Sequence, residues 1–395
     1  MMIPFKEAQE IINLHANSFG EELIEIDNCF GRVLAENIQA DRDYPPFNRS
    51  AMDGFAINVV DFENGINNFK IAEDVFAGQV SNYIIKEKEC YKIMTGAPVP
   101  ESANVVIRRE DTEETSDSII IKIQSLKKYQ NISIKGEDIK SNEIILKSGQ
   151  VCNHSILTAL ASIGKRLIKV QKLPTVAIFS TGNEIKPLNQ DVLPYQIHDS
   201  NSYTIEAMLR QFLIKPTIKN ILPDDEEILF QYLKNALDCN IIIISGGVSA
   251  GDADFIPNVL EKIGVKKIFH KVAIKPGKPF WCGKMPNGGL VFALPGNPMS
   301  CQVCFKLFIE PYLIECFGLS QKPIFKISLL EQKLKKVKLD EFFPCYIQSN
   351  PYGLLQTKFN GSGGITSTLD SHGLAIHKTK DENLEAGFEV DFLLW

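Results

Sequence analysis

Ile241-Ile242-Ile243-Ile244-Ser245-Gly246-Gly247-Val248-Ser249-Ala250-Gly251-Asp252-Ala253-Asp254 is the stretch on which the reading of this chain turns. Four consecutive isoleucines put β-branched, apolar side chains on both faces of a strand, so other elements must cover that strand on either side, as in a parallel sheet. The run ends in glycines and small polar residues, and a helical pattern follows over residues 255–263. Glycines leave backbone N–H groups unshielded just ahead of a helix N-terminus, where partial positive charge collects. Such a turn suits an anionic ligand, although one glycine-rich turn alone is equally a device for tight packing.

The same grammar recurs on either side. Strands are expected at 175–180 and 290–294, and helices at 202–212, 226–237 and 299–317. Apolar strands alternating with amphipathic helices describe a central α/β domain with a mostly parallel sheet covered on both faces. In open sheets of this kind ligands bind beyond the carboxyl ends of the strands. Two further strand ends carry unusual residues, Thr181-Gly182-Asn183-Glu184 and Pro295-Gly296-Asn297-Pro298. Three such ends in one sheet nominate Thr181, Gly182, Ser245, Gly246, Gly247, Ser249, Pro295, Gly296 and Asn297 as ligand-binding residues.

Beyond this region the pattern changes. Residues 5–19 read as an amphipathic helix, with a second helical stretch at 155–163 expected to pack beside it. Between them lie short β-like runs such as 71–76 and 119–123. After about residue 322 short alternating strands with glycine turns point to a small β-barrel or sandwich. The expected organisation is multidomain α/β and β. It comprises a discontinuous N-terminal domain (1–45 plus 139–172), an inserted β-rich domain (46–138), the α/β domain (173–321) and a C-terminal β-barrel (322–395).

Other residues carry candidate chemistry. Lys271 and Lys275 are four apart in a segment expected to be extended, so their ammonium groups point the same way and suit an oxyanion. Asp53, Asp138, Glu184, Asp224 and Asp254 stand at turns and are hard oxygen ligands of the kind Mg²⁺ takes. Singly, such lysines are ordinary surface residues and such aspartates ordinary turn formers or caps. Cys301 and Cys304 are three apart in an apolar helix, which favours core packing over metal or redox work. No metalloprotease, P-loop or zinc-site spacing is found in the sequence.

Composition narrows the partners. The chain has 395 residues, 44% hydrophobic, with a formal net charge of -6. No basic field favours nucleic acid or an anionic membrane. The most basic run, 333–338, alternates with Leu334 and Val337 as a half-solvated strand would. No apolar run approaches the ~18 residues of a membrane span, and no leader pattern opens the chain. A cytoplasmic protein with reduced thiols is expected, given nine irregularly spaced cysteines.

Taken in order, Asn48-Arg49-Ser50-Ala51-Met52-Asp53-Gly54-Phe55-Ala56, Met94-Thr95-Gly96-Ala97-Pro98-Val99-Pro100, Gly136-Glu137-Asp138-Ile139, Ser180 to Glu184, Ser245 to Asp254, Lys271 to Pro279 and Leu294 to Pro298 resemble the molybdopterin molybdenumtransferase family. This is the group of MoeA and the gephyrin E domain. The resemblance implies an elongated homodimer of four-domain subunits whose active-site cleft is completed by the partner subunit. It also implies a Mg²⁺-assisted reaction in which adenylylated molybdopterin loses AMP and its dithiolene captures molybdenum from molybdate, giving molybdenum cofactor. By motif, Asp53, Thr95, Asp138, Glu184, Asp224, Asp254, Lys271 and Lys275 match functional positions, and Ser362 matches a binding position. The roles implied are Mg²⁺ and the anhydride for Glu184 and Asp254, and phosphate or molybdate for Lys271 and Lys275. Asp53, Thr95 and Asp138 would complete the neighbour's cleft. A separate adenylyltransferase and apo-molybdoenzymes are the implied protein partners.

There are departures. Leu339 and Pro344 stand where the family usually carries arginine, which leaves the oxyanion to Lys271 and Lys275 with Lys336 or Lys338, or else lowers affinity for it, and Asn183 replaces a frequent aspartate. The competing readings are the related molybdopterin adenylyltransferase, whose turn usually reads Gly-Gly-Thr-Gly, and a catalytically degenerate pterin-binding or scaffold paralogue.

Overall fold

A computed structural model describes residues 2–248, 255–335, 337–358 and 361–395. The chain divides into two compact units: 1–35 with 149–153 and 167–395, and 36–148 with 154–166.

In the first unit the decisive strand, Ile241–Ser245, lies inside a six-stranded sheet. The strand order is Ile218–Leu222, Val176–Thr181, Ile241–Ser245, Leu290–Leu294, Trp281–Lys284, Lys266–His270. The first four are parallel, Trp281–Lys284 runs antiparallel to them, and Lys266–His270 runs antiparallel to Trp281–Lys284. Alternate side chains of the isoleucine run enter different cores: Ile241 and Ile243 join one, Ile242 and Ile244 the other, and all are fully buried. Burying each contributes about 1.5–3 kcal/mol relative to exposure. This is why an unbroken apolar run marked a strand covered on both faces. Helices Asn201–Arg210, Glu226–Asn235 and Ile256–Lys262 provide much of the cover.

The helix expected at 299–317 is interrupted. Pro298–Cys304 and Glu310–Cys316 are α-helical, with a π-helical turn at Phe305–Ile309 between them. Pro311 has no N–H to give Leu307 O four residues back. Gln9 Nε2, from the opening helix Phe5–Asn13, donates to that carbonyl instead at 2.8 Å. Phe5 of the same helix stacks edge-on against Phe308 and Phe342.

The C-terminal part curls into a small barrel. Asp340–Ser349 pairs with Gly373–His377 on one side and Tyr352–Gln356 on the other. Gly373–His377 pairs with Glu389–Leu394, which in turn pairs with Phe325–Ser328. A bridge from Leu329 to Leu354 then closes the ring. Residues 333–335 form no strand. Lys333 turns inward, its ammonium 4.9 Å from the Phe343 ring centroid, while Leu334 is 55% exposed. The half-solvated strand inferred from alternation is therefore inverted, because a charged partner and a ring hold the lysine inside.

The second unit is built on another six-stranded sheet. Its order is Val105–Arg108, Gly54–Ile57, Glu89–Ile93, Asn68–Val75, Ser118–Ile121, Thr112–Glu114. Helix His154–Ser162 also belongs to this unit.

Candidate functional site

Parallel pairing aligns the strand ends that the sequence singled out. Ser180 stands opposite Ser245, and Ser245 opposite Leu294, so Thr181-Gly182, Gly246-Gly247 and Pro295-Gly296 emerge at one edge. They line a cleft of about 900 Å³ together with Glu184, Asp224, Asn297 and Gly363. Gly246 (φ +100°) passes so close to its neighbour that a Cβ would lie 2.5 Å from Thr181 O. Only glycine tolerates both that contact and that backbone conformation.

Beneath the cleft lies a polar girder that sequence reasoning missed. Asp199, 4% exposed, accepts hydrogen bonds from Ser180 Oγ (2.8 Å), Ser202 N (3.1 Å) and Ser202 Oγ (2.5 Å). Three donors satisfy a charge that would otherwise be costly to bury. Asn201 Nδ2 then bridges Ser245 Oγ and Gly296 O, each at 2.7 Å, tying two strand ends together. The available signal was the Asp199-x-x-Ser202 spacing at a helix start, which reads as a cap rather than as a site.

A second cavity of about 540 Å³ shares Pro279, Pro295 and Asn297 with the cleft and contains Lys275, Lys278, Lys333, Ser362 and Glu341. Asn297 Nδ2 donates to Ser362 Oγ at 2.9 Å. Glu341, 3% exposed, faces Lys333 at 3.4 Å and Lys275 at 3.9 Å. The carboxylate holds two ammonium groups at one wall without cancelling the third lysine. Lys271, expected to point the same way as Lys275, lines neither cavity. Its φ of +72° breaks the regular extension that the four-residue spacing assumed. The extra cation comes from Lys333; Lys338 is exposed and Lys336 lies outside the described residues.

Ser249 and Asp254 also lie outside the described residues. Among the described residues no group of three or more His, Cys, Asp or Glu is placed to hold a metal ion. In the second unit, Asp53 Oδ1 accepts from Thr95 N and Thr95 Oγ1, both at 2.7 Å. These donors hold the Asp53 carboxyl below the usual carboxylate range. Asp138 stands exposed on another loop, its N–H donating to Tyr44 O at 3.1 Å. Cys301 and Cys304 are fully buried free thiols, and burial pushes Cys301 up to about 12 against its hydrogen bond to Ser245. They pack the core, as their helical spacing implied.

Bare backbone at aligned strand ends beside a lysine-walled cavity marks an α/β protein with a cleft whose chemistry suits an anionic ligand. Residues 3–164 match the model of the MoeA N-terminal region (domain I and II), and residues 177–315 that of the probable molybdopterin binding domain. The molybdopterin molybdenumtransferase of Staphylococcus aureus (strain Mu50) is 33% identical over 402 residues, spanning 99% of this chain and 95% of the relative. That of Staphylococcus epidermidis (strain RP62A) is 32% identical over 381 residues, spanning 94% and 90%. The crystal structure of the molybdopterin biosynthesis MoeA protein from Pyrococcus horikoshii superposes with a TM-score of 0.86 at 30% identity, covering 100% of this chain and 99% of that one. The chain belongs to the molybdopterin molybdenumtransferase family.

Proposed function

We propose that the chain inserts molybdenum from molybdate into adenylylated molybdopterin, releasing AMP and leaving molybdenum cofactor. The observation that carries this reading is the pair of adjoining cavities, one floored by unshielded backbone and one walled by lysines. A phosphate-bearing ligand lies along the first, against the Gly246-Gly247 turn, and its reacting end reaches the second. There Lys275, Lys278 and Lys333 neutralise molybdate, and Ser362, oriented by Asn297, offers a hydroxyl. Ammonium groups fixed beforehand stabilise oxyanion charge without reorganising as it shifts.

Glu184 stands exposed in the cleft that Asp224 also lines, which fits Mg²⁺, an ion content with one or two carboxylates plus water and substrate phosphates. Glu184 and Asp254 would hold it, and it would supply charge neutralisation on the anhydride. The account extends to a homodimer in which Asp53, Thr95 and Asp138 complete the neighbour's cleft. It also keeps the four domains drawn from the sequence, at 1–45 with 139–172, 46–138, 173–321 and 322–395. A cytoplasmic location and dealings with an adenylyltransferase and apo-molybdoenzymes complete it. Among the described residues no helix is long and apolar enough to cross a membrane.

The test is to incubate the purified chain with adenylylated molybdopterin and Mg²⁺ and to follow AMP with and without molybdate. Molybdate-dependent AMP release is expected. Tight binding without release in either condition would contradict the reading.

A further inference from the structure

In the small barrel, two polar atoms have no hydrogen-bond partner among the described residues, His377 Nδ1 and Glu341 Oε2. They belong to register partners on the antiparallel strands Asp340–Ser349 and Gly373–His377, so both side chains project from the same face of the sheet. That face also carries Phe343 and Ala375 into the barrel core. His377 is fully buried, Glu341 nearly so, and each of the two atoms is sealed from solvent. A ligand cannot reach them. Any hydrogen that relieves them resides on one of the two side chains.

The other ring nitrogen fixes the state of the histidine. His377 Nε2 lies 2.8 Å from Glu382 O, and a carbonyl only accepts, so Nε2 carries the hydrogen of the neutral ring. Nδ1 is left as a bare lone pair, the one place a second proton can go. Burial and the Lys335 ammonium hold His377 below its usual value, and Lys333 adds to this, against the pull of the Glu382 carbonyl and the Glu341 charge. Lys335 is itself tied to the carbonyls of Lys378 and Asp381. At neutral pH the ring is therefore uncharged and able to take a proton.

Glu341 connects this histidine to the oxyanion cavity. Its other oxygen, Oε1, lies 3.4 Å from Lys333 Nζ and 3.9 Å from Lys275 Nζ, two of the lysines that line that cavity. An arriving dianion competes with the carboxylate for both ammonium groups and adds negative charge beside it. Charge in so buried a place is little screened and draws a proton toward the free lone pair.

We propose that the lysine-walled cavity takes up its oxyanion together with a proton from solvent, which settles on His377 Nδ1 and is donated to Glu341 Oε2. The Glu341 charge is then answered from inside the barrel, and Lys275 and Lys333 turn to the oxyanion. His377 is thus a positioning residue, acting through Glu341 on the lysines. The inference rests on the reading of this cavity as the oxyanion site and not on the transfer of molybdenum.

The experiment is calorimetric titration of the full chain with molybdate alone, between about pH 6.5 and 8, in buffers of different ionisation enthalpy. Molybdate is a dianion throughout that range, so a proton taken up goes to the protein. The wild type takes up roughly half a proton or more per molybdate near neutrality, and its affinity falls as pH rises, by up to about tenfold per unit. His377→Gln keeps a donor for Glu382 O and has nothing that titrates there. Its proton uptake falls to about zero and its affinity becomes flat with pH, whereas a merely structural histidine would leave the uptake in place. NMR titration of the wild-type ring nitrogens reads the same event without a variant: the His377 pKa rises when molybdate is added.

Any of four results overturns the proposal: molybdate does not bind, it binds without proton uptake, the uptake survives in His377→Gln, or the wild-type His377 pKa does not move. Proton-coupled binding without molybdate-dependent AMP release would instead preserve this inference and remove the proposed function. Molybdate-dependent release with no proton linkage would do the reverse.

Discussion

Asp53 shows what a single residue's surroundings decide. Its carboxylate is exposed, yet two donors from Thr95 keep it ionised to lower pH than an ordinary aspartate. A depressed folded-state value means that the contribution is present above the unfolded carboxylate range and is lost as pH falls through the folded one. Thr95→Val removes the hydroxyl donor and leaves the backbone N–H. The Asp53 pKa should therefore rise part of the way toward the usual value of about 3.9, followed by NMR titration of its carboxyl carbon. No upward movement would show that the hydroxyl bond does not form in solution. Nothing in the motif around Asp53 gave this away, because Thr95 is 42 residues distant and joins it only through the fold. Lys333 and Glu341 are only eight residues apart, yet their pairing was equally invisible. In sequence one belongs to a basic run and the other to a strand, and only barrel closure brings them face to face.

Elements were legible in proportion to how strongly one pattern ruled them. Ile241–Ser245 and Leu290–Leu294 appear with the bounds their apolar runs implied, since burial on both faces leaves no alternative period. The strands Ile218–Leu222, Lys266–His270 and Trp281–Lys284 were not expected, being shorter on apolar residues or mixed with lysine and glycine at the sheet's margins. The π-turn was hidden because its cause is split between Pro311 and the distant Gln9. The glycine turn after Ile241–Ser245 yields a sharp expectation. Gly246→Ala places a methyl 2.5 Å from Thr181 O at a φ of +100°. Such a strained position costs about 1–3 kcal/mol, which urea unfolding would register, and should also weaken ligand binding by deforming the cleft floor. Unchanged stability and binding would mean that the turn relaxes freely and does not define the site.

At the scale of the whole molecule, the α/β sheet supplies the edge, the glycine turns supply bare backbone, and the barrel supplies Lys333 and Glu341 to a cavity that Lys275 and Lys278 also line. The class of the fold was plain from the alternation of strands and helices, and the strand-end residues from their glycines. The polar girder at Asp199 and Asn201 and the source of the extra lysine were not, because hydrogen-bond partners far apart in the chain leave no local signature. If the adjoining cavities are one substrate site, Lys275 should matter to the transfer rather than to the fold, its side chain being 42% exposed. The most direct measurement is reconstitution of a molybdenum-free apo-enzyme by the wild-type chain and Lys275→Ala in parallel, with adenylylated molybdopterin, Mg²⁺ and molybdate supplied. The account predicts reconstitution by the wild type and a loss of about tenfold or more in the variant at unchanged melting temperature, the size of effect expected for removing one charge-stabilising group. A wild-type chain that fails to reconstitute, or a variant that does so at the full rate, would contradict it.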